Sequence, residues 1–290
     1  MAIGKSLLIV AAVLVASLAV SCGDDEENGA EPTATTKEAP TSAEAIRLAK
    51  VYEQGLDALN RGDVDGVMAG YADDAVFAII ECVGGPCVGR EAIRNVFEFY
   101  VAEHLNITTR DLEVSGNTLT TTFEIRSDGV RAAGLERILG GFKVEVRDGR
   151  ISEIRGLPPD FGDPDTAAWY ALLGTTGLNF DLAPGQNPDQ SPGSAFLFPW
   201  NGRTQVMIGI EPGLEGVPQP IHIHEGSCAD LGVEVAFPLQ DVGGGKSLTI
   251  VDVPLAELRT RNFAIDVHPE EGIDVYVWCG DIPPPETSTN

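Results

Sequence analysis

Three of the four histidines of this 290-residue chain, and two of its five cysteines, lie between Pro220 and Pro283. The stretch reads PIHIHEGSC, later DVH, then WCGDIP. Imidazole is the commonest protein ligand for metals. Residues two apart on a strand share a face and sit about 6.5–7 Å apart at Cα, so His222 and His224 can reach one ion. His268 joins them if its strand is adjacent. Three imidazoles suit copper or zinc, and an open fourth position would make the ion reactive rather than structural. The other reading has the histidines hydrogen-bonding to loops in a disulfide-stapled sandwich that does no chemistry. The residues alone leave both open.

The elements that must position these groups are strands. From about Gly193 onward Val206, Ile208 and Ile210 alternate with polar or small residues, and Ile221 and Ile223 alternate with His222 and His224. Phe263, Ile265 and Val267 alternate with Ala264, Asp266 and His268. By that alternation all three histidines point away from the core. Short strands separated by Pro/Gly turns predict an all-β antiparallel sandwich or barrel over 193–285. The segment resembles Cu/Zn superoxide dismutase-like domains and chordin-type (CHRD) repeats. The resemblance rests on His222-x-His224, the later His268, and Cys228 with Cys279-Gly280-Asp281-Ile282. It implies copper ligation by His222, His224 and His268 and a bond between Cys228 and Cys279. The segment has neither the dismutase family's fourth copper histidine nor its zinc loop, and Tyr276 stands where that family guides substrate with an arginine. CHRD-type domains carry the same His-x-His-x-Gly without established catalysis.

The first half reads differently. Ile46, Ala49, Tyr52, Leu56 and Leu59 follow helical spacing behind a capping box at Thr41–Glu44, and a short second helix carries Val64, Val67, Met68 and Tyr71. A strand is expected over 75–82, opened by Asp73-Asp74. A helix is expected over 90–105, with strands at 109–115, 118–127, 134–147 and 150–156. Gly140-Gly141 suggests a bulge, and Asp148-Gly149 a hairpin turn. This is an α+β layout. It resembles the SnoaL-like branch of the NTF2-like superfamily, through YADDAVF at 71–77, GREAIR at 89–94 and FKVEVRDGRI at 142–151. The resemblance implies a curved sheet wrapped on helices around a conical pocket, over 42–157. His104, on the apolar face of the third helix, is the candidate acid–base group, with Asp74 as a second. Tyr52, Tyr71 and Tyr100 are candidate pocket walls. Each of these residues also has an ordinary reading as core, cap or turn. Glu124, Arg126, Lys143 and Glu145 mark a solvated sheet face or a homodimer contact.

The 44 acidic against 19 basic residues give a net charge of -25, and no Lys/Arg-rich stripe is present, which argues against nucleic acid. Lys5 and the apolar stretch Leu7–Val20 form a signal-peptide pattern over 1–21. Ala19-Val20-Ser21-Cys22 resembles the lipobox of bacterial lipoproteins, which implies an acylated Cys22 and a lipid anchor on the extracytoplasmic face of the cell membrane. Residues 22–41 read as a tether, 158–192 as a linker with a short docked helix or a lid, and 286–290 as a tail. Beyond Cys22, four cysteines allow three pairings. Cys82 and Cys87 bracket a Val-Gly-Gly-Pro turn and suit a local staple, with a zinc site as the rival, which leaves Cys228 to Cys279. The leading expectation is non-catalytic binding of a small apolar or amphipathic ligand or an envelope partner. The alternatives are copper or zinc binding through His222, His224 and His268, and a hydrolase or isomerase acting in the cone.

Overall fold

The computed structural model describes residues 43–185, 191–211, 217–269 and 275–285. The signal segment, Cys22, the whole of the tether, the start of the expected capping box at Thr41 and Ser42, and the tail after residue 285 lie outside them. Ala45, Leu48, Ala49, Tyr52 and Leu59 form the buried stripe of helix α1 (Ala43–Asn60). Ile46, expected on that stripe, is exposed. Helix α2 (Val64–Ala69) starts at Asp63, whose carboxylate accepts the Gly66 amide at 2.8 Å, a side-chain N-cap that satisfies one orphan donor.

Strand β1 (Tyr71–Ala78) begins four residues before the expected start and ends earlier, so Asp73 and Asp74 lie inside it with their side chains outward. Its register shifts between Tyr71 and Val76, which is how two successive residues can both be exposed. After the turn come β2 (Cys87–Val88) and helix α3 (Gly89–Ala102). Strands β3 (Asn106–Ser115) and β4 (Thr118–Arg126) follow, then a short helix α4 (Asp128–Ala132) within the region expected to be followed directly by strand. Strands β5 (Ile138–Arg147) and β6 (Arg150–Gly156) close the sheet, whose order is β2-β1-β6-β5-β4-β3.

The sheet is mixed: β3 to β6 form an antiparallel run, and β1 joins it parallel to β6. Asp148 and Gly149 adopt φ of 54° and 75°, as the predicted tight hairpin requires. Gly140-Gly141 is not a bulge, since β4 and β5 pair there in unbroken register. A Cβ on Gly140 would lie 2.9 Å from the Phe123 ring, so the glycine is there for close packing. Tyr71, Phe77, Phe97 and Tyr100 meet as an aromatic chain between α3 and the sheet, with successive ring centroids 5.6–6.5 Å apart.

Helix α5 (Pro164–Thr176) opens at Asp163, which accepts from the Thr166 amide at 2.9 Å. Its first turn is fastened to the start of β5: Leu139 N donates to Thr166 Oγ1 at 2.8 Å, and Arg137 pairs with Asp163 at 3.1 Å. The second sheet then begins inside the expected linker, with β7 (Leu178–Pro184). It continues through β8 (Gly193–Trp200), β9 (Arg203–Gly209), β10 (Ile221–Ser227), β11 (Asp230–Pro238) and β12 (Lys246–Val251). After helix α6 (Leu255–Thr260) come β13 (Phe263–Val267) and β14 (Trp278–Asp281). All pairings are antiparallel, in the order β11-β10-β13-β14-β7-β8-β9-β12. This is one curled antiparallel sheet, not the two facing sheets of the sandwich that the sequence suggested beside a barrel. Its inner face holds Leu182, Leu197, Val206, Ile208, Ile221, Ile223 and Ile265. Both expected disulfides form, Cys82–Cys87 and Cys228–Cys279, and the first removes the rival zinc site at that pair.

The two domains pack as one unit. The outer face of β8, β9 and β12 carries Phe198, Trp200, Met207 and Leu248 into the same apolar cluster as α1, α3 and the first sheet. That explains why β9 is buried on both sides from Thr204 to Gly209. Polar ties cross the joint: Asn95 Nδ2 donates to Lys246 O at 3.1 Å, and Lys246 Nζ to Val83 O at 2.8 Å.

Candidate functional site

Where the first sheet, α3, α5 and the outer face of β8–β9 meet, they leave a cavity of about 150 Å³. Phe99, Tyr100, Phe123 and Phe142 line it from the first domain, Trp169, Tyr170 and Leu173 from α5, and Phe196, Trp200, Gln205 and Met207 from the second. A smaller cavity of about 40 Å³ lies between α1 and the sheet, walled by Tyr52, Tyr71 and Tyr100 among others. The three tyrosines therefore do line a cavity, but only Tyr100 borders the larger one.

The acid of the larger cavity is one the sequence reading missed. Glu81 lies in the turn after β1, immediately before the Cys82–Cys87 bridge, and lines the cavity. It is hydrogen-bonded to its own backbone amide and to Tyr100, and burial pushes its carboxyl above the ordinary range against those two bonds. Burial, and then the charge of Glu81, push Tyr100 well up, and Tyr170 rises for the same two reasons. Burial disfavours charge on all three groups, and a charged Glu81 would further disfavour ionisation of both phenols, so the cavity favours a neutral acid beside neutral phenols. Glu103, a second lining carboxylate, is buried at 4% exposure. It accepts from Trp200 Nε1 at 2.5 Å and from Arg203 at 3.4 Å. Burial still raises it, with those two bonds opposing.

His104 is elsewhere. Helix α3 stops at Ala102, and His104 follows the C-cap with φ of 47°. The helical phase that aimed it into the cone no longer holds there. Its ring is 78% exposed and meets Asp128 at 2.9 Å. Asp74 is likewise outside, pointing to solvent from β1 and paired with Arg147 at 2.5 Å; the bond to that guanidinium pulls its carboxyl down. Neither lines a described cavity. On the outer sheet face Lys143 and Glu145 pair at 3.0 Å, and Arg126 pairs with Glu124 at 2.6 Å.

The three C-terminal histidines do converge. Strands β10 and β13 are neighbours, with His222 opposite Asp266 and His224 opposite Ala264, and the amide of His268 donates to Pro220 O at 2.8 Å. Ligand atoms of His222, His224, Asp266 and His268 all lie within 4.8 Å of one another. Asp266 is the member missed in the sequence; its place on the same face was legible, its register opposite His222 was not.

The tautomers follow from the hydrogen bonds. His224 Nδ1 lies 2.8 Å from Gly232 O, and His268 Nδ1 3.2 Å from Val275 O. A carbonyl only accepts, so both Nδ1 atoms carry protons. Both Nε2 atoms then turn towards Asp266, at 3.6 Å from Oδ1 and 3.0 Å from Oδ2. A neutral imidazole presents a lone pair there, facing a carboxylate that is 3% exposed. A cation among them, or a proton, removes that repulsion. His222 Nδ1, His224 Nε2 and Asp266 Oδ1 are buried without a hydrogen-bond partner among the described residues. Burial holds His222 below its ordinary value of 6.5; Asp266 opposes this, and the two neighbouring histidines add to it. Three nitrogens and one carboxylate are a fitting donor set for zinc or copper. Zinc–nitrogen bonds of about 2.0–2.1 Å place tetrahedral ligand atoms roughly 3.4 Å apart, so modest side-chain rotations would close the cluster on an ion.

Residues 52–154 match the family model of the SnoaL-like domain. Among curated proteins none matches this chain. Similar solved structures include an NTF2-like protein from Cytophaga hutchinsonii, 15% identical, covering 40% of this chain and 91% of its own, with a TM-score of 0.33. Another is RV0760c from Mycobacterium tuberculosis in complex with estradiol-17beta-hemisuccinate, 20% identical, covering 39% and 93%, with a TM-score of 0.34.

Proposed function

We propose that this protein binds a small amphipathic molecule in the cavity between its two domains. One observation carries the reading: an apolar cavity of about 150 Å³, closed by both domains and α5, with Glu81 and Tyr100 in its wall. Ligand sites are concave, mostly apolar and furnished with few polar groups. Glu81 and Tyr100, rather than His104 or Asp74, would do any acid–base work on a ligand there. Native mass spectrometry of the purified full chain is expected to show a bound small molecule that is lost in Leu173→Trp, which fills the cavity from α5. Equal occupancy in both proteins would sink the reading.

The signal-peptide pattern and the lipobox-like Ala19-Val20-Ser21-Cys22 support an activity outside the cytoplasm, with the chain held to the membrane by lipid on Cys22. Membrane fractionation tests this: the parent is expected in the membrane pellet and Cys22→Ser in the soluble fraction. A pelleted Cys22→Ser protein would rule out the anchor.

A second reading is favoured by the convergence of His222, His224, His268 and Asp266. These residues would hold zinc or copper. With Asp266 as fourth ligand the set is complete, which suits a structural or storage ion better than a reactive one. Titration of apo-protein with Zn(II) and Cu(II), compared with a His222→Ala/His224→Ala variant, tests it.

A further inference from the structure

The larger cavity is owned by two domains. Val206 and Ile208 point into the second domain's own core, while Gln205 and Met207, alternating with them, face the cavity. Trp200, at the end of β8, faces it too. On the opposite wall stand Glu81 and Tyr100, hydrogen-bonded to each other. Glu81 also accepts its own backbone amide, and a carboxyl group has more hydrogen-bonding capacity than that amide and one tyrosine use. A pure hydrocarbon would leave the remainder facing an apolar surface, whereas a ligand oxygen would satisfy it. The volume is that of apolar cavities which hold a single benzene-sized ring.

We propose that the cavity is a two-domain site for a monocyclic compound bearing one hydroxyl group, its ring held between Trp200 and Met207 of the second domain and the first-domain wall, its oxygen hydrogen-bonded to Glu81. This rests on the ligand-binding reading above and adds the ligand's class and its second wall. Because only the docked arrangement makes the site, occupancy stabilises the joint between domains.

The test is calorimetric titration of the full chain with p-cresol and p-xylene, which share a shape and differ by hydroxyl for methyl. The parent is expected to bind p-cresol at least tenfold more tightly. Glu81→Met should bring the two within threefold of each other, whereas Glu81→Gln, which keeps shape and hydrogen bonding, should retain the preference and so separates recognition from misfolding. Met207→Trp should weaken both ligands tenfold or more, and Met207→Leu should not. Equal binding of the two compounds by the parent overturns the hydroxyl recognition but leaves the ligand site standing. Unchanged affinity in Met207→Trp overturns the second wall. Binding of neither compound by the parent overturns this proposal, and if no small molecule co-purifies either, the ligand-site reading falls with it.

Discussion

His222→Ala/His224→Ala protein is expected to bind zinc(II) more than about a thousandfold more weakly than the parent. Structural zinc sites are worth roughly 10–16 kcal/mol over four ligands, about 3 kcal/mol each, and two lost ligands cost about 6 kcal/mol. Asp266→Asn, which keeps the shape and removes the charge, should weaken binding by less. Affinity should fall as pH drops, because an imidazole must be neutral to ligate. The metal-free protein carries its own signature of the same cluster. His222 is held below 6.5 in the fold, so between its folded value and 6.5 the unfolded chain binds more protons. Its contribution to stability is therefore full above about 6.5 and declines as pH falls below that value. Zinc present at 100 times its Kd should add about 2.7 kcal/mol of stability, lost on chelation. A double variant that binds zinc like the parent would remove the site, as would a melting temperature indifferent to chelator.

The Cys228–Cys279 bridge is part of that site's support. Cys279 lies directly opposite Asp266 in the β13–β14 register. The bridge ties β14 to the end of β10, and Tyr276 Oη donates to Cys228 O at 2.8 Å. Tyr276 thus has a local structural partner.

Much of this was legible in the chain because strand alternation is strict. Ile221, Ile223, Ile265 and Val267 had to face the core, which put His222, His224 and His268 on the other side. Asp266 shared that face in the sequence, but a carboxylate outside a core is ordinarily solvated, and only the pairing of β10 with β13 set it against His222. Glu81 was hidden for a similar reason. The expected strand ran to Cys82 and would have included it, but the strand ends at Ala78 and leaves Glu81 in the turn beside the cavity. His104 was misplaced by extending helical phase two residues beyond Ala102. Strand β7 lay in a Pro- and Asp-rich stretch whose Leu178, Phe180 and Leu182 alternate plainly. Their composition spoke of a linker while their period spoke of a strand, and the period was the better guide. The docking of the domains had no sequence signal beyond the short apolar run Val206-Met207-Ile208 in β9, which reads equally as any buried strand.

That docking depends most on Trp200, and Trp200→Ala is expected to lower the stability of the full chain by about 3–5 kcal/mol. The indole is buried, with ring centroids 5.9 Å from Phe99 of α3 and 5.8 Å from Trp169 of α5. It packs so closely on α4 that a Cβ on Gly129 would fall 1.9 Å from the ring. Three elements of the first half therefore lose their common neighbour at once, and none can collapse into the space without leaving the others. The loss is also polar, since Trp200 Nε1 is the 2.5 Å donor to buried Glu103. Trp200→Phe separates the two contributions: it keeps most of the packing, abandons the carboxylate, and should cost about 1–3 kcal/mol. Urea unfolding followed by circular dichroism reads both. If the joint is the cooperative link, Trp200→Ala should also split one transition into two, because each domain retains its own buried cluster. A Trp200→Ala protein within about 1 kcal/mol of the parent, unfolding in one step, would mean that the shared core does not hold the domains together.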